Sequence, residues 1–430
     1  MATTQPPDPL ARELFDEIAG WPIFDPHSHI DARSPAARTF DEVLGYHYYT
    51  ELCHSAGMPA RLAEPEADPR ERARNLAGYL DRIDNTVQHS WLVEIARTFH
   101  DFEGPIGPSS IDRLCDRADH RGDASAWDRE VWDRTGLEAI FLTNDFDDPL
   151  EGWDTSKFVP CLRTDDLVLK LHEAKTVERL GRASGVDVVD YATLRAAIGA
   201  IFERVKSRGA RACAISLPPD FAPRMTTPRR AVTPIRRALH QLDQRPDEHD
   251  EVRQVVFWTI AEFCADFKLP FDLMIGPIRG VYPGGVAGGR DLFDRRVSLY
   301  DYRALFNHFS GVTFPVSTLS PDAGAELVAY SWIFPNVVPM GHWWYSNIPS
   351  YIAADLKARL EAVPKTKQVG YYSDAYKLEF VLPKFNMYRR VLAETLADAI
   401  RGRGWSGHQA LEVARLVLLE NPRAIFAGGR

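Results

Sequence analysis

Five consecutive residues, Asp25-Pro26-His27-Ser28-His29, set a carboxylate and two imidazoles at alternate positions of the chain. Along an extended segment, side chains two apart point to the same side, so these three are expected to converge. Neutral imidazoles are good ligands for divalent cations of the zinc, manganese or iron type. Much further on, Tyr371-Tyr372-Ser373-Asp374 closes an apolar run with a second carboxylate. Asp374 is suited to be a third metal ligand, or a base held against a metal-bound group. Histidines near a strand end are commonly structural, however, and an aspartate before a helical pattern is an ordinary N-cap. What separates these readings is whether the fold brings the two segments together.

Eight short apolar, β-branched or aromatic runs recur between stretches of helical periodicity: WPIFDPHSHI from Trp21, LEAIFLTND from Leu137, FVPCLRTD from Phe158, ACAISLPPD from Ala212, FDLMIGPIR from Phe271, VTFPVSTLS from Val312, NVVPMGHWW from Asn336 and QVGYYSDA from Gln368. Near-continuous apolar runs suit parallel strands covered on both faces. Eightfold strand-helix alternation predicts an α/β fold of the (β/α)₈ TIM-barrel type, as a single domain over 1–430. An open doubly wound sheet is the rival, but no GxGxxG follows the first run. Closure makes the first and eighth strands neighbours, so His27, His29 and Asp374 meet at the C-terminal barrel face where such folds hold their sites. The long first connection, about 43–135, reads as a helical insertion, with apolar residues three and four apart in ARNLAGYLDRIDNTVQHSWLVEIARTFHDF. A proline-rich stretch opens the segment 218–262, which is either a lid or a surface loop followed by a barrel helix. His342, Trp343 and Trp344 end the seventh run; His342 is a candidate to face a ligand, and Trp343, Trp344 and Tyr345 form either an apolar wall beside it or ordinary core packing.

With 45% hydrophobic and 26% charged residues and a net charge of −9, the chain has the composition of a soluble globular protein. The acidic balance argues against a nucleic-acid or acidic-membrane binder, so an anionic ligand would need local cations. Five scattered cysteines without CxxC spacing suggest neither a disulfide framework nor a cysteine zinc site. MATTQPPDPLARELFDEI lacks the basic start and apolar run of an export signal, and a cytoplasmic protein is expected. Self-association is left open.

HxH on the first strand and Asp on the eighth resemble the amidohydrolase superfamily. Its binuclear members also use a modified lysine on the fourth strand and histidines on the fifth and sixth, which ACAISL, FDLMIG and VTFPVSTLS lack. One divalent ion is therefore expected, zinc first, with manganese or iron as alternatives. Within that superfamily the chain is similar to the uronate isomerases: LFDEIAGWPIFDPHSHI, GYHYYTELCHSAGMP, LTNDFDDPLEGW, FVPCLRTDDLV, MIGPIRG, VPMGHWWYSN and YYSDAYKLEF fall in that family's order. The resemblance implies His27, His29 and Asp374 at the metal, Asp374 also as the base, His47 and Tyr48 near the sugar ring, and Arg163 and Arg279 on the substrate carboxylate. The family's Thr-Asp-Ser-Arg is here Ser373-Asp374-Ala375-Tyr376, so a tyrosine stands at the place of a cation; Lys377 could replace it only if the backbone shifts. Met274 stands where a fifth-strand histidine is usual.

The activity implied is metal-dependent aldose-ketose isomerisation of a uronate or related sugar acid, in a divergent member. The altered surroundings of Asp374 leave room for a mononuclear hydrolase or lyase on a related acid, and a catalytically silent binding barrel is the third reading.

Overall fold

Residues 6, 8–65 and 68–426 are described by the computed structural model. Residues 1–5 and 7, part of the stretch read for an export signal, and residues 66–67 and 427–430 lie outside them, so those portions of the expected domain go undescribed.

Eleven strands form among the described residues: β1 (Ile23–Asp25), β2 (Leu137–Phe141), β3 (Asn144–Asp145), β4 (Phe158–Val159), β5 (Cys161–Arg163), β6 (Ala212–Leu217), β7 (Phe271–Ile275), β8 (Pro277–Ile278), β9 (Leu292–Phe293), β10 (Phe314–Thr318) and β11 (Val337–Pro339). β1, β2 and β4 pair in parallel, and a second parallel set runs β11-β10-β7-β6-β5-β3. The two sets are one sheet in effect. β3 continues β2 beyond Leu142 and Thr143, while β5 continues β4 beyond Pro160, whose missing amide interrupts the ladder. The eighth run contributes a parallel bridge, Met340 to Val369, and its end bonds back toward β1. The order of the runs around the molecule is thus their order in sequence, and the architecture is a (β/α)₈-type barrel. β8 and β9 form a small antiparallel hairpin beyond β7.

β7 is buried along its whole length, as strands walled on both sides must be. One apolar cluster lies between β6, β7, β10 and the helices Tyr191–Ser207 and Pro246–Asp266. Another joins β1 and β2 to the long helix Val381–Arg403 and to the helices between β1 and β2. Those connecting helices are Phe40–Leu44, His47–Ser55, Pro69–Ala77, Val87–His100, Ile111–Arg117 and Ala124–Thr135. They carry Tyr49, Trp91 and Trp127 inward, and burial of each such ring stabilises the packing by about 2–3 kcal/mol. Among the described residues no helix is long and apolar enough to cross a membrane.

Candidate metal centre and active site

β1 ends at Asp25, so His27 and His29 lie just past the strand rather than within it. Their rings still meet edge to face, with centroids 5.2 Å apart at 87°. Asp25 does not join them. It turns into the interior, where its carboxylate accepts hydrogen bonds from the Ser373 amide and hydroxyl, and burial pushes its pKa up to about 6. The alternation expected of the three residues thus holds for the two histidines only.

Asp374 arrives from the other end of the barrel. Its backbone adopts φ of 51°, a left-handed conformation costly for a residue with a Cβ. Hydrogen bonds hold it there: its amide donates to the His27 carbonyl at 3.1 Å, and the His29 amide donates to the Ala375 carbonyl at 2.8 Å. The aspartate is no helix cap. Its Oδ1 lies 3.3 Å from His29 Nε2 and 3.8 Å from His27 Nε2.

The donors fit a divalent cation. Oδ1 of Asp374 and Nε2 of His27 are buried without a hydrogen-bond partner, and one ligand atom from each of the three residues falls within 4.8 Å of the others. Donors sharing an ion at about 2.1 Å sit roughly 3–3.5 Å apart, close to the spacing here. The Thr143 hydroxyl donates to the Ser28 carbonyl at 3.0 Å and lies 2.7 Å from His29 Nδ1. That arrangement puts the His29 proton on Nδ1 and its lone pair on Nε2, toward Asp374. Beneath His27, Asp272 of β7 approaches Nδ1 at 3.4 Å and orients that ring likewise.

Burial opposes charge on His27, but the contact with Asp272 and the charges of Asp272, Asp374 and Asp25 together outweigh it and raise the His27 pKa. At His29 burial prevails and the pKa is lowered. Burial alone would raise the Asp374 pKa; the close approach of His29 and the charges of His29, His27 and Lys384 reverse this and hold the carboxyl below its ordinary value. Asp374 is accordingly ionised near neutral pH, as a ligand or base must be.

A cavity of about 310 Å³ opens over these groups. His47, Arg163, Arg279, Trp343 and Tyr376 line it, together with Trp344, Met274, Ser216, Asp165, Asp291 and Gly288. Each arginine is held by a carboxylate of the same wall: Arg163 Nε lies 3.2 Å from Asp165, and Arg279 Nη1 lies 2.6 Å from Asp291. Burial pushes the His47 pKa down to about 3, so its ring is neutral near pH 7.

Two residues expected at the substrate lie off the cavity wall. Tyr48 is buried behind His47, packed against Tyr46 at 4.7 Å between centroids. His342 is buried 3.5 Å from Asp355, which Arg359 also binds. Gly341 takes φ of 38° just before it, and the His342 ring packs toward the helix Pro349–Ala362, which carries Asp355. Tyr376 stacks on His29 with centroids 5.0 Å apart, and Lys377 turns away to the Ser34 carbonyl and Glu42, so Lys377 does not replace the missing arginine. Nor does 218–262 supply the cover. That stretch is largely the helices Pro228–Leu239 and Pro246–Asp266, and the wall comes instead from the hairpin containing Gly288 and Asp291.

Asp272 and Lys384 escaped sequence reasoning. Each is a charged residue inside an otherwise apolar pattern, FDLMI and VLPKF, where a buried charge demands partners. That was the available signal.

A parallel barrel with two imidazoles after its first strand and a carboxylate after its eighth defines a metal-binding enzyme scaffold of the amidohydrolase type. Residues 7–283 match the sequence profile of glucuronate isomerase, and the chain belongs to that family. It is 23% identical over 427 residues to a uronate isomerase of Rhizorhabdus wittichii, covering 92% of this chain and 91% of that one. A crystal structure of uronate isomerase from Thermotoga maritima superposes with a TM-score of 0.89 at 20% identity, covering 97% of both chains. Glucuronate isomerase from Caulobacter crescentus superposes with a TM-score of 0.90 at 19% identity, covering 99% of this chain and 96% of that one.

Proposed function

We propose that this chain is a metal-dependent aldose-ketose isomerase acting on a uronate or closely related sugar acid. The observation that carries the reading is the meeting of Asp374 with His27 and His29 beneath a cavity that also holds His47 and two arginines, in a chain of the glucuronate isomerase family.

Arg163 and Arg279 draw the substrate carboxylate, which explains how an acidic protein accepts an acidic sugar. Trp343 and Trp344 lie along the sugar chain. His47, neutral and facing the cavity, is placed to exchange a proton with the ring oxygen as the sugar opens. A divalent ion held by His27, His29 and Asp374, zinc before manganese or iron, would polarise the carbonyl and hydroxyl oxygens at C1 and C2. Asp374 takes the proton from C2. The electron pair left behind forms the C1–C2 double bond while the carbonyl pair moves onto O1, which takes up a proton to give the enediol; O2 then loses its proton to become the ketone as C1 gains one.

Tyr376 in place of a cation favours a second reading, a hydrolase or lyase acting on a related acid with the same Asp374. Incubation of metal-loaded protein with a panel of uronates in heavy water separates the two. Isomerisation leaves the substrate's mass unchanged apart from exchange, with deuterium at C1 of the ketose or C2 of recovered aldose. Gain or loss of water, or loss of carbon dioxide, would exclude it.

A further inference from the structure

Lys384, in the first turn of the helix Val381–Arg403, is fully buried. A lysine is seldom placed so deep unless its ammonium is satisfied. Its Nζ donates to the Ser373 carbonyl at 2.8 Å and to the Tyr46 hydroxyl at 2.9 Å, with the Asp374 carbonyl at 3.5 Å. The rings of Tyr46, Tyr48 and Trp91 surround it at 5.0, 5.1 and 5.3 Å, within cation-π range. The Tyr46 hydroxyl in turn donates a hydrogen bond to the Asp374 carbonyl at 3.1 Å. Tyr46 also immediately precedes the helix His47–Ser55, which begins with His47.

These contacts touch both halves of the site. On one side is the left-handed turn that presents the Asp374 carboxylate; on the other is the start of the helix that presents His47. No sheet hydrogen bond joins the two segments. We propose that Lys384 is a positioning residue: from beneath the cavity it fixes the Ser373-Asp374 turn and ties it to Tyr46, so that one ammonium sets the placement of both the carboxylate and the imidazole. Its part in turnover rests on the isomerase reading above, whereas its part in placing the metal-facing carboxylate does not.

The test compares the parent with Lys384→Met and Tyr46→Phe. Methionine nearly fills the lysine's volume but leaves the Ser373 carbonyl without its donor, a cost of about 1–3 kcal/mol. Lys384→Met should therefore melt within about 5 °C of the parent. Zinc affinity, measured by competition with a chromogenic chelator, should fall about tenfold or more, as when support behind a ligand is removed. With a uronate, kcat should fall about a hundredfold while KM stays within about threefold, since a displaced base acts on the transition state. Tyr46→Phe keeps the ammonium and breaks only the link through the hydroxyl, so kcat should fall less, with KM again unchanged.

A folded Lys384→Met that keeps zinc affinity within about threefold of the parent overturns the proposal. Reduced affinity with unchanged kcat would confine Lys384 to supporting metal binding and overturn its part in placing the base and the imidazole for turnover. If Lys384→Met does not fold, Tyr46→Phe decides: an unchanged kcat refutes the tie. Should the parent isomerise no uronate, the zinc measurement still judges Lys384, and it is the isomerase reading that falls.

Discussion

A carboxylate behind a metal-facing imidazole fixes the ring's tautomer and makes its free nitrogen more basic. Asp272 stands in that relation to His27. Asp272→Asn keeps the shape but weakens the charge, and it should lower metal affinity about 10–100-fold in chelator competition; undiminished affinity would remove Asp272 from the site. Asp374→Asn should lower kcat further, by about 10²–10⁴-fold, because it removes the base itself. The two changes are distinguishable by saturating metal, which restores only the first. At this scale the histidines were legible because their alternation is unusual, and Asp374 because it ends a run that barrel closure returns to them. Asp272 was hidden by its neighbours: period and hydropathy describe β7 as a plain core strand and say nothing of the one position that reaches another strand's histidine.

The elements hold the site through turns as much as through strands. Gly341, after β11, has φ of 38°, and a Cβ there would lie 2.2 Å from Cδ1 of Tyr372. Tyr372 in turn packs on His27 with centroids 5.1 Å apart and donates to the Ser317 hydroxyl. Gly341→Ala should therefore destabilise the protein by about 1–3 kcal/mol through the strained backbone alone, more through the clash, read from the shift of a urea transition; a shift of zero would show that the turn relaxes freely. The eight runs gave the strand order because each apolar stretch is bounded by breakers. The role of 218–262 stayed open between a lid and a loop leading into a barrel helix, because proline content marks an irregular segment without saying which barrel end it overhangs. The hairpin that does the covering follows β7 directly, and its glycines Gly280 and Gly288 take positive φ where the chain turns back.

For the whole molecule, the far side of the metal-site segments is anchored by a buried acid. Glu379 accepts from the Ala37 amide and Trp127 Nε1, joining the segment after β1 to the helix Ala124–Thr135, and burial pushes its pKa up to about 7 from 4.5. A folded-state pKa above the unfolded one means that the folded protein binds the proton more tightly. The resulting stabilisation is complete below about pH 4.5 and is lost as pH rises through about 7, a change of about 3 kcal/mol. Denaturant titrations across this window should show the parent losing stability relative to Glu379→Gln as pH rises; parallel curves would exclude the linkage. The barrel class was readable from repetition and composition, but its mode of closure was not, since no strand pattern marks the eighth run as bridging at Val369 alone.

That closure has a kinetic consequence. The ring is completed where His27 and His29 exchange main-chain hydrogen bonds with Asp374 and Ala375, so a shared cation would sit across the last seam and clasp segments separated by nearly the whole barrel. Loops of that length are the costliest to close. An ion bound there would act as a removable cross-link, slowing the parting of the first and eighth segments and lengthening the lifetime of the folded barrel.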